Sequence, residues 1–275
     1  MYRRVIFFTT LFLVFQSAFS QSRKYVIAVI GSSTAQGVGA DPIDSSWVNR
    51  TKSYYQSLGL IDTIYNIALG GQTTYGGMPS GFTPPAGRPA PDPATNVTKA
   101  LSFHPDVVLV NFPSNDAAAD YSLTETMSNL RAIYGAVVAA GKIAFITTSE
   151  PRTSLETSQK ELLKTMRDSV EAEFGANSLD FYDAIVGPDS LDINPAYNFD
   201  GTHVNNAGHR QLFEVVRNAH ILSGLAPAAP TLLGFTAKPE GNIVRLDWAL
   251  TGASGPVTVL VQRSIDSTNF ADIGR

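Results

Sequence analysis

Apolar runs that lack a polar face recur along this chain, each followed by a segment with helical periodicity. Residues 24–30 (KYVIAVI), 62–69 (DTIYNIAL), 105–112 (PDVVLVNF), 142–148 (KIAFITT) and 179–185 (LDFYDAI) read as strands. A strand such as VVLV must be covered on both sides, because either face left in water would expose Val and Leu. Between the strands, residues 44–59, 96–101, 123–140, 156–174 and 207–222 read as helices, with Asp44 the expected cap of the first. In 156–174, Leu162, Leu163, Met166, Val170 and Phe174 fall on one face. This alternation predicts an α/β fold. Its expected form is a flavodoxin-like three-layer α/β/α domain around a central parallel sheet of about five strands.

In such sheets, ligands bind beyond the carboxyl ends of the strands. The first strand is followed by Gly31-Ser32-Ser33-Thr34 and the second by Gly70-Gly71-Gln72-Thr73. Pro113-Ser114-Asn115-Asp116 follows the third, and Asp200-Gly201-Thr202-His203 precedes the last helix. All four motifs fall on one rim of the sheet. A serine becomes a nucleophile only when a base takes its proton, and the base needs a third group to orient it. The sequence has four histidines. His104 falls on the opposite rim, and His209 and His220 lie on the last helix, where a surface position is expected. His203 alone is on the motif-bearing rim, and Asp200 three residues earlier is spaced to accept from its Nδ1–H.

Taken together, these four blocks resemble those of the SGNH (GDSL-type) hydrolases, over roughly residues 24–225. The resemblance implies Ser33 as nucleophile, Asp200 and His203 as its partners, and an oxyanion hole made by Ser33, Gly71 and Asn115. The chain departs from the family pattern at Ser32, where Asp is frequent, and at Pro113, where Gly is usual. Other readings of the first block fail on chemistry. It has no Gly-Lys-Ser/Thr ending, no Gly-x-Gly-x-x-Gly spacing and no Gly-x-Ser-x-Gly elbow.

The flanks constrain setting and partners. Residues 1–20 combine Arg3 and Arg4 with an apolar stretch and then small residues at Ala18 and Ser20, the order of a cleaved signal peptide. Its apolar part is about 11 residues, against roughly 20 for a membrane span. A secreted or periplasmic protein without a membrane span, with association with the cell surface as one form of that setting, is expected. With no cysteine, the chain has no thiolate, disulfide or cysteine-ligated metal to draw on. It also lacks His-Glu-x-x-His, so neither a metal nor an organic cofactor is expected. A net charge of −4 with scattered basic residues argues against nucleic acid as a partner. After the hydrolase domain (residues 21–225), a Pro/Ala linker at 226–231 leads into residues 232–275. There Val244, Leu246, Trp248 and Leu250, then Val257, Val259 and Val261, alternate with polar positions. That segment resembles the start of a fibronectin-like β-sandwich module.

The substrate is less constrained. The Gly/Pro-rich loop at 74–94 lies on the active rim, so Tyr75, Met78 and Phe82 are candidate wall residues, as are Tyr197 and Phe199. Arg152, after the fourth strand, is a candidate substrate contact. An acylated carbohydrate, deacetylated by the enzyme, is the leading expectation. Another small ester, lipid or aryl, is the alternative within the enzyme class. A glycan-binding or adhesion protein on the same scaffold is the alternative outside it.

Overall fold

The computed structural model describes residues 24–112, 114–225, 231–240, 243–251, 261–264 and 270–274. The expected signal peptide at 1–20, Pro113, linker residues 226–230, Val257 and Val259 lie outside the described residues. The α/β unit occupies Lys24–Gly224.

Its elements run β1 (Tyr25–Gly31), α1 (Ser33–Gln36), α2 (Trp47–Ser57), β2 (Ile61–Asn66), α3 (Thr74–Gly77), α4 (Val97–Leu101) and β3 (Val107–Asn111). They continue α5 (Ser114–Ala118), α6 (Leu123–Ala139), β4 (Ile143–Thr147), α7 (Thr157–Phe174), β5 (Ser178–Leu179), α8 (Phe181–Ile185) and α9 (Asn206–Asn218). The five strands form one parallel sheet in the order β2-β1-β3-β4-β5. This is the flavodoxin-like order, whose reversal lies between β1 and β3. The short helices α1 and α5 that follow those two strands carry Ser33 and Asn115.

Alternation along each strand builds the core. Ala28 and Ile30, Val108 and Val110, and Ala144 and Ile146 turn to one face, where they meet Val97, Ala100, Leu130, Ile133 and Val137 from α4 and α6. Intervening residues such as Ile27, Val29 and Leu109 are equally buried. Each such side chain contributes about 1.5–3 kcal/mol of hydrophobic stabilisation. Trp47 is fully buried at the start of α2, edge-on to Phe181 at 5.2 Å. Its indole N–H donates to the Thr34 carbonyl at 3.1 Å, which anchors α1 from below.

Three expectations are corrected. The fifth strand is only Ser178–Leu179, and Phe181–Ile185 is helical. Asp180 caps that helix by accepting from the Asp183 N–H, while Thr148 Oγ1 accepts from the Phe181 and Tyr182 N–H groups. Seven residues of mixed apolar pattern are too few for periodicity to separate strand from helix. Asp44 sits in a 3₁₀ turn (Ile43–Ser45), and Ser46 is the cap of α2. His209 is fully buried rather than on the surface. Its Nδ1 accepts from the Trp47 N–H at 3.4 Å, and its Nε2 donates to the Val38 carbonyl at 3.0 Å. Burial pushes its pKa down to about 4, so the ring is neutral.

Among the described residues, the C-terminal unit by itself contains two antiparallel pairs. Thr231–Glu240 pairs with Ile243–Thr251, and Val261–Ser264 pairs with Phe270–Gly274. Phe235 lies opposite Trp248 in the first pair, and Trp248 is exposed.

Candidate active site

The site begins where β1 ends. Gly31 is needed there because a Cβ would sit 2.3 Å from the Asn111 carbonyl oxygen of β3. The close approach lets the Ser32 N–H donate to that oxygen at 2.9 Å. Ser32 is consequently buried, and the chain turns directly into α1, with Ser33 as its first residue. Of the two adjacent serines, Ser33 faces the rim.

Ser33 Oγ lies 2.8 Å from His203 Nε2, and His203 Nδ1 lies 2.8 Å from Asp200 Oδ2. The other Asp200 oxygen accepts from the Thr202 and His203 backbone N–H groups at 2.9 and 2.8 Å. Gly201 makes this turn possible with φ of +85°, a region that disfavours any Cβ. Burial alone would raise the Asp200 pKa. The hydrogen bonds from the His203 ring and the two backbone groups outweigh it, and hold the carboxyl below its ordinary value. An ionised carboxylate only accepts, so Nδ1 carries the proton and Nε2 is left to accept from the Ser33 hydroxyl.

The second and third blocks close the opposite side. Gln36 Oε1 accepts from the Gly70 N–H at 2.9 Å, and Asn66 Nδ2 donates to the Ala35 carbonyl at 2.7 Å, tying the loop after β2 to α1. Gly71 is exposed, with φ of +81° and open space around it. Asn115 donates one amide N–H to the Gln72 carbonyl at 2.8 Å. Beside it, Asp116 is fully buried and accepts from the Thr74 N–H (2.8 Å), the Thr74 hydroxyl (2.6 Å) and the Thr126 hydroxyl (2.9 Å). Burial raises its pKa to about 6 despite those bonds. A surface hollow of about 400 Å³ is lined by Leu69, Gly70, Gly71, Gln72, Thr73 and Asp92, among others. One of its lining residues, Gly70, packs against Ser33: a Cβ there would lie 3.6 Å from Ser33 Cβ.

The candidate substrate contacts separate. Phe199 is 59% exposed, one residue before Asp200. Arg152 reaches the rim, where Nη1 donates to Asn115 Oδ1 at 3.0 Å. Tyr75 does not line the cleft. It and Met78 are buried, and the Tyr75 hydroxyl donates to Glu125, which also pairs with Arg88 through both of its oxygens. The guanidinium of Arg88 lies over the Tyr121 ring at 3.9 Å, so these groups pin the 74–94 loop onto α6. The expectation treated an aromatic on the rim as open to substrate, but core packing claims it.

Some site residues gave no signal of their role in the sequence. Gln36 and Gln72 are single polar side chains that no motif singles out. Gln72 Nε2 donates to Asp92 Oδ2 at 3.0 Å and to Thr95 Oγ1, fixing the wall of the hollow. The place of Gln72 directly after Gly70-Gly71 was the one available hint.

The profile of the GDSL-like lipase/acylhydrolase family matches residues 29–211. Among solved structures, a GDSL-like lipase from Bacteroides thetaiotaomicron is 17% identical with a TM-score of 0.53, covering 73% of this chain and 89% of its own. A mutant of an acetyl-xylooligosaccharide esterase from Geobacillus stearmophilus is 15% identical with a TM-score of 0.54, covering 71% and 93%. An acetyl xylan esterase is 14% identical with a TM-score of 0.53, covering 71% and 99%. No curated protein sequence matches the chain.

Proposed function

Since the chain belongs to the GDSL-like lipase/acylhydrolase family, we propose that it hydrolyses acyl esters with Ser33 as nucleophile, His203 as general base and acid, and Asp200 as the group that orients the imidazole. The observation that carries this reading is the continuous hydrogen-bond line from Ser33 Oγ through His203 to Asp200, 2.8 Å at each link. His203 Nε2 takes the hydroxyl proton as Oγ adds to the ester carbonyl. The carbonyl oxygen becomes an anion facing the Ser33 and Gly71 N–H groups and the Asn115 side-chain amide. Collapse breaks the bond to the alcohol, which leaves with the proton from His203. Water then attacks the acyl-serine, its proton passing to the same imidazole; collapse breaks the acyl–Oγ bond, Ser33 Oγ takes the proton back from His203, and the carboxylic acid is released.

For the substrate, we propose an acetylated carbohydrate. The hollow that includes Gly71 is lined by glycines, Leu69, Pro89 and Ala90 together with Gln72, Thr73 and Asp92, a mixed surface that can take a short acyl group beside a polar alcohol. Phe199 offers an exposed ring beside the triad, on which the C–H face of a sugar can stack. Two of the structural relatives are esterases of acetylated xylan or its oligosaccharides. A signal peptide at residues 1–20 would bring the enzyme to such polymers outside the cell. The alternating strands beyond residue 231 suit the start of a fibronectin-like tail.

The test is acetate release from acetylated xylan and from p-nitrophenyl acetate by wild type and Ser33→Ala. Release from both, lost in the variant, supports the proposal. Activity retained by Ser33→Ala contradicts the mechanism, and wild-type activity on p-nitrophenyl acetate alone contradicts the substrate.

A further inference from the structure

Arg152 follows β4 through Glu150 and Pro151 and ends between two loops of the site. Its Nη1 donates to Asn115 Oδ1 at 3.0 Å and to the Ser114 carbonyl at 3.4 Å, and its Nη2 donates to Thr202 Oγ1 at 3.4 Å. All of these acceptors are neutral. We propose that Arg152 is a positioning residue, which fixes the Asn115 amide for the oxyanion and couples that loop to the turn bearing Asp200 and His203. The inference rests on the oxyanion role given to Asn115 above.

A guanidinium only donates, so the Asn115 atom facing it must be the carbonyl oxygen. The amide nitrogen is then on the other side, where one N–H meets the Gln72 carbonyl. The second N–H is left for a ligand. Among the described residues, the Gln72 carbonyl is what would still set the amide's direction without Arg152. A fixed cation on the carbonyl end also polarises the amide and strengthens its N–H groups as donors to a developing negative charge.

The second link runs through Thr202. Its hydroxyl meets Ser154 Oγ at 2.8 Å, its N–H donates to Asp200 Oδ1, and the Ser154 N–H donates to the Gly201 carbonyl at 2.9 Å. The guanidinium therefore joins the start of α5 to a turn that is itself closed by the Ser154–Gly201 backbone bond. Beneath it, Glu150 is buried, with its carboxylate held by Asn111 Nδ2 at 2.6 Å. Burial pulls the Arg152 pKa down, while the charges of Glu150 and Asp200 act to hold it up. The side chain keeps its charge, as arginine does throughout folded proteins. Its Nε is buried without a hydrogen bond, so the group is held by its two terminal nitrogens.

The experiment is a double-mutant cycle on p-nitrophenyl acetate with wild type, Arg152→Met, Asn115→Ala and the double variant, with Ser33→Ala as the control for the chemistry. Arg152→Met is expected to lower kcat on the order of 10-fold to 10²-fold, a cost typical of a misplaced group. KM should stay within about twofold, and the loss should vanish in the Asn115→Ala background, as coupled residues require. Unchanged kcat, a raised KM with kcat retained, or a loss that multiplies with that of Asn115→Ala would each overturn the proposal. The second of these results would make Arg152 a substrate contact. Should Arg152→Met not fold, Arg152→Lys carries the same cycle. It keeps the charge but not the fork, and a several-fold loss of kcat confined to the Asn115 background supports the proposal, whereas its absence overturns it. Activity surviving in Ser33→Ala, or undiminished in Asn115→Ala, would instead strike the functional reading on which the inference rests.

Discussion

The two walls of the site are built in opposite ways. On one wall, Asp200 and His203 lie three residues apart on a single turn, and the Asp200 side chain is 43% exposed. On the other, Asn115 and Asp116 are joined to Gln72, Thr74 and Thr126, and Asp116 is fully buried. The first wall is local and open; the second is assembled from distant segments around a carboxylate closed to water. The difference teaches that substitutions on the first should remove chemistry and leave the fold, whereas those on the second should touch both.

The largest effect falls on the open wall. Ser33→Ala and His203→Ala should each lower kcat by about 10⁴-fold or more. Melting temperature should move little beside that loss, because neither side chain is part of the buried core. Steady-state kinetics beside a thermal melt checks both halves. A large loss of stability would erase the contrast between the walls.

Next comes Asp116→Ala on the closed wall. It strands the Thr74 N–H and two hydroxyls, and leaving one buried donor unsatisfied costs about 1–3 kcal/mol. Urea unfolding should show the loss, with kcat falling alongside. The milder Asp116→Asn tests its titration. With a folded pKa of about 6 against an ordinary 3.8, the native state holds the proton longer than the unfolded chain. Wild-type stability attributable to this group is therefore highest in acid and falls as the pH rises from 3.8 to about 6. The stability of wild type relative to Asp116→Asn should decline across that window and level off above it. A flat difference would show that the carboxyl is not strained by burial.

The contrast also explains what could be read in advance. Asp200 and His203 are visible because their relation is a spacing of three residues, and Ser33 because it follows an apolar strand. The sheet was legible for the same reason in YVIAVI and DVVLVNF, whose burial on both faces leaves no other use for them. Arg152 bridging Asn115 and Thr202, or Gln36 reaching Gly70, depends on residues brought together from far apart in the chain, and no local pattern encodes that. Tyr75 and His209 were misplaced because an aromatic or imidazole reads alike in a rim, a surface or a core until its packing partners are known. At α8, the cap at Asp180 outweighed a short strand-like run.

Phe199→Ala is the smallest of the expected effects. The ring is mostly in water, so stability should hardly change. KM for acetylated xylan should rise by about 2–10-fold, roughly the equivalent of the 0.5–1.5 kcal/mol that a ring contact contributes. p-Nitrophenyl acetate turnover should be unaffected. Equal effects on both esters would place the ring's role in the turn itself.

The central claim is that His203 activates Ser33, and not its neighbour Ser32, for attack. Labelling with a fluorophosphonate, followed by peptide mapping, tests it most directly. The account predicts one adduct on Ser33 in the wild type and none in His203→Ala at the same exposure. An adduct on Ser32 or any other residue, or labelling of Ser33 undiminished in His203→Ala, would contradict it.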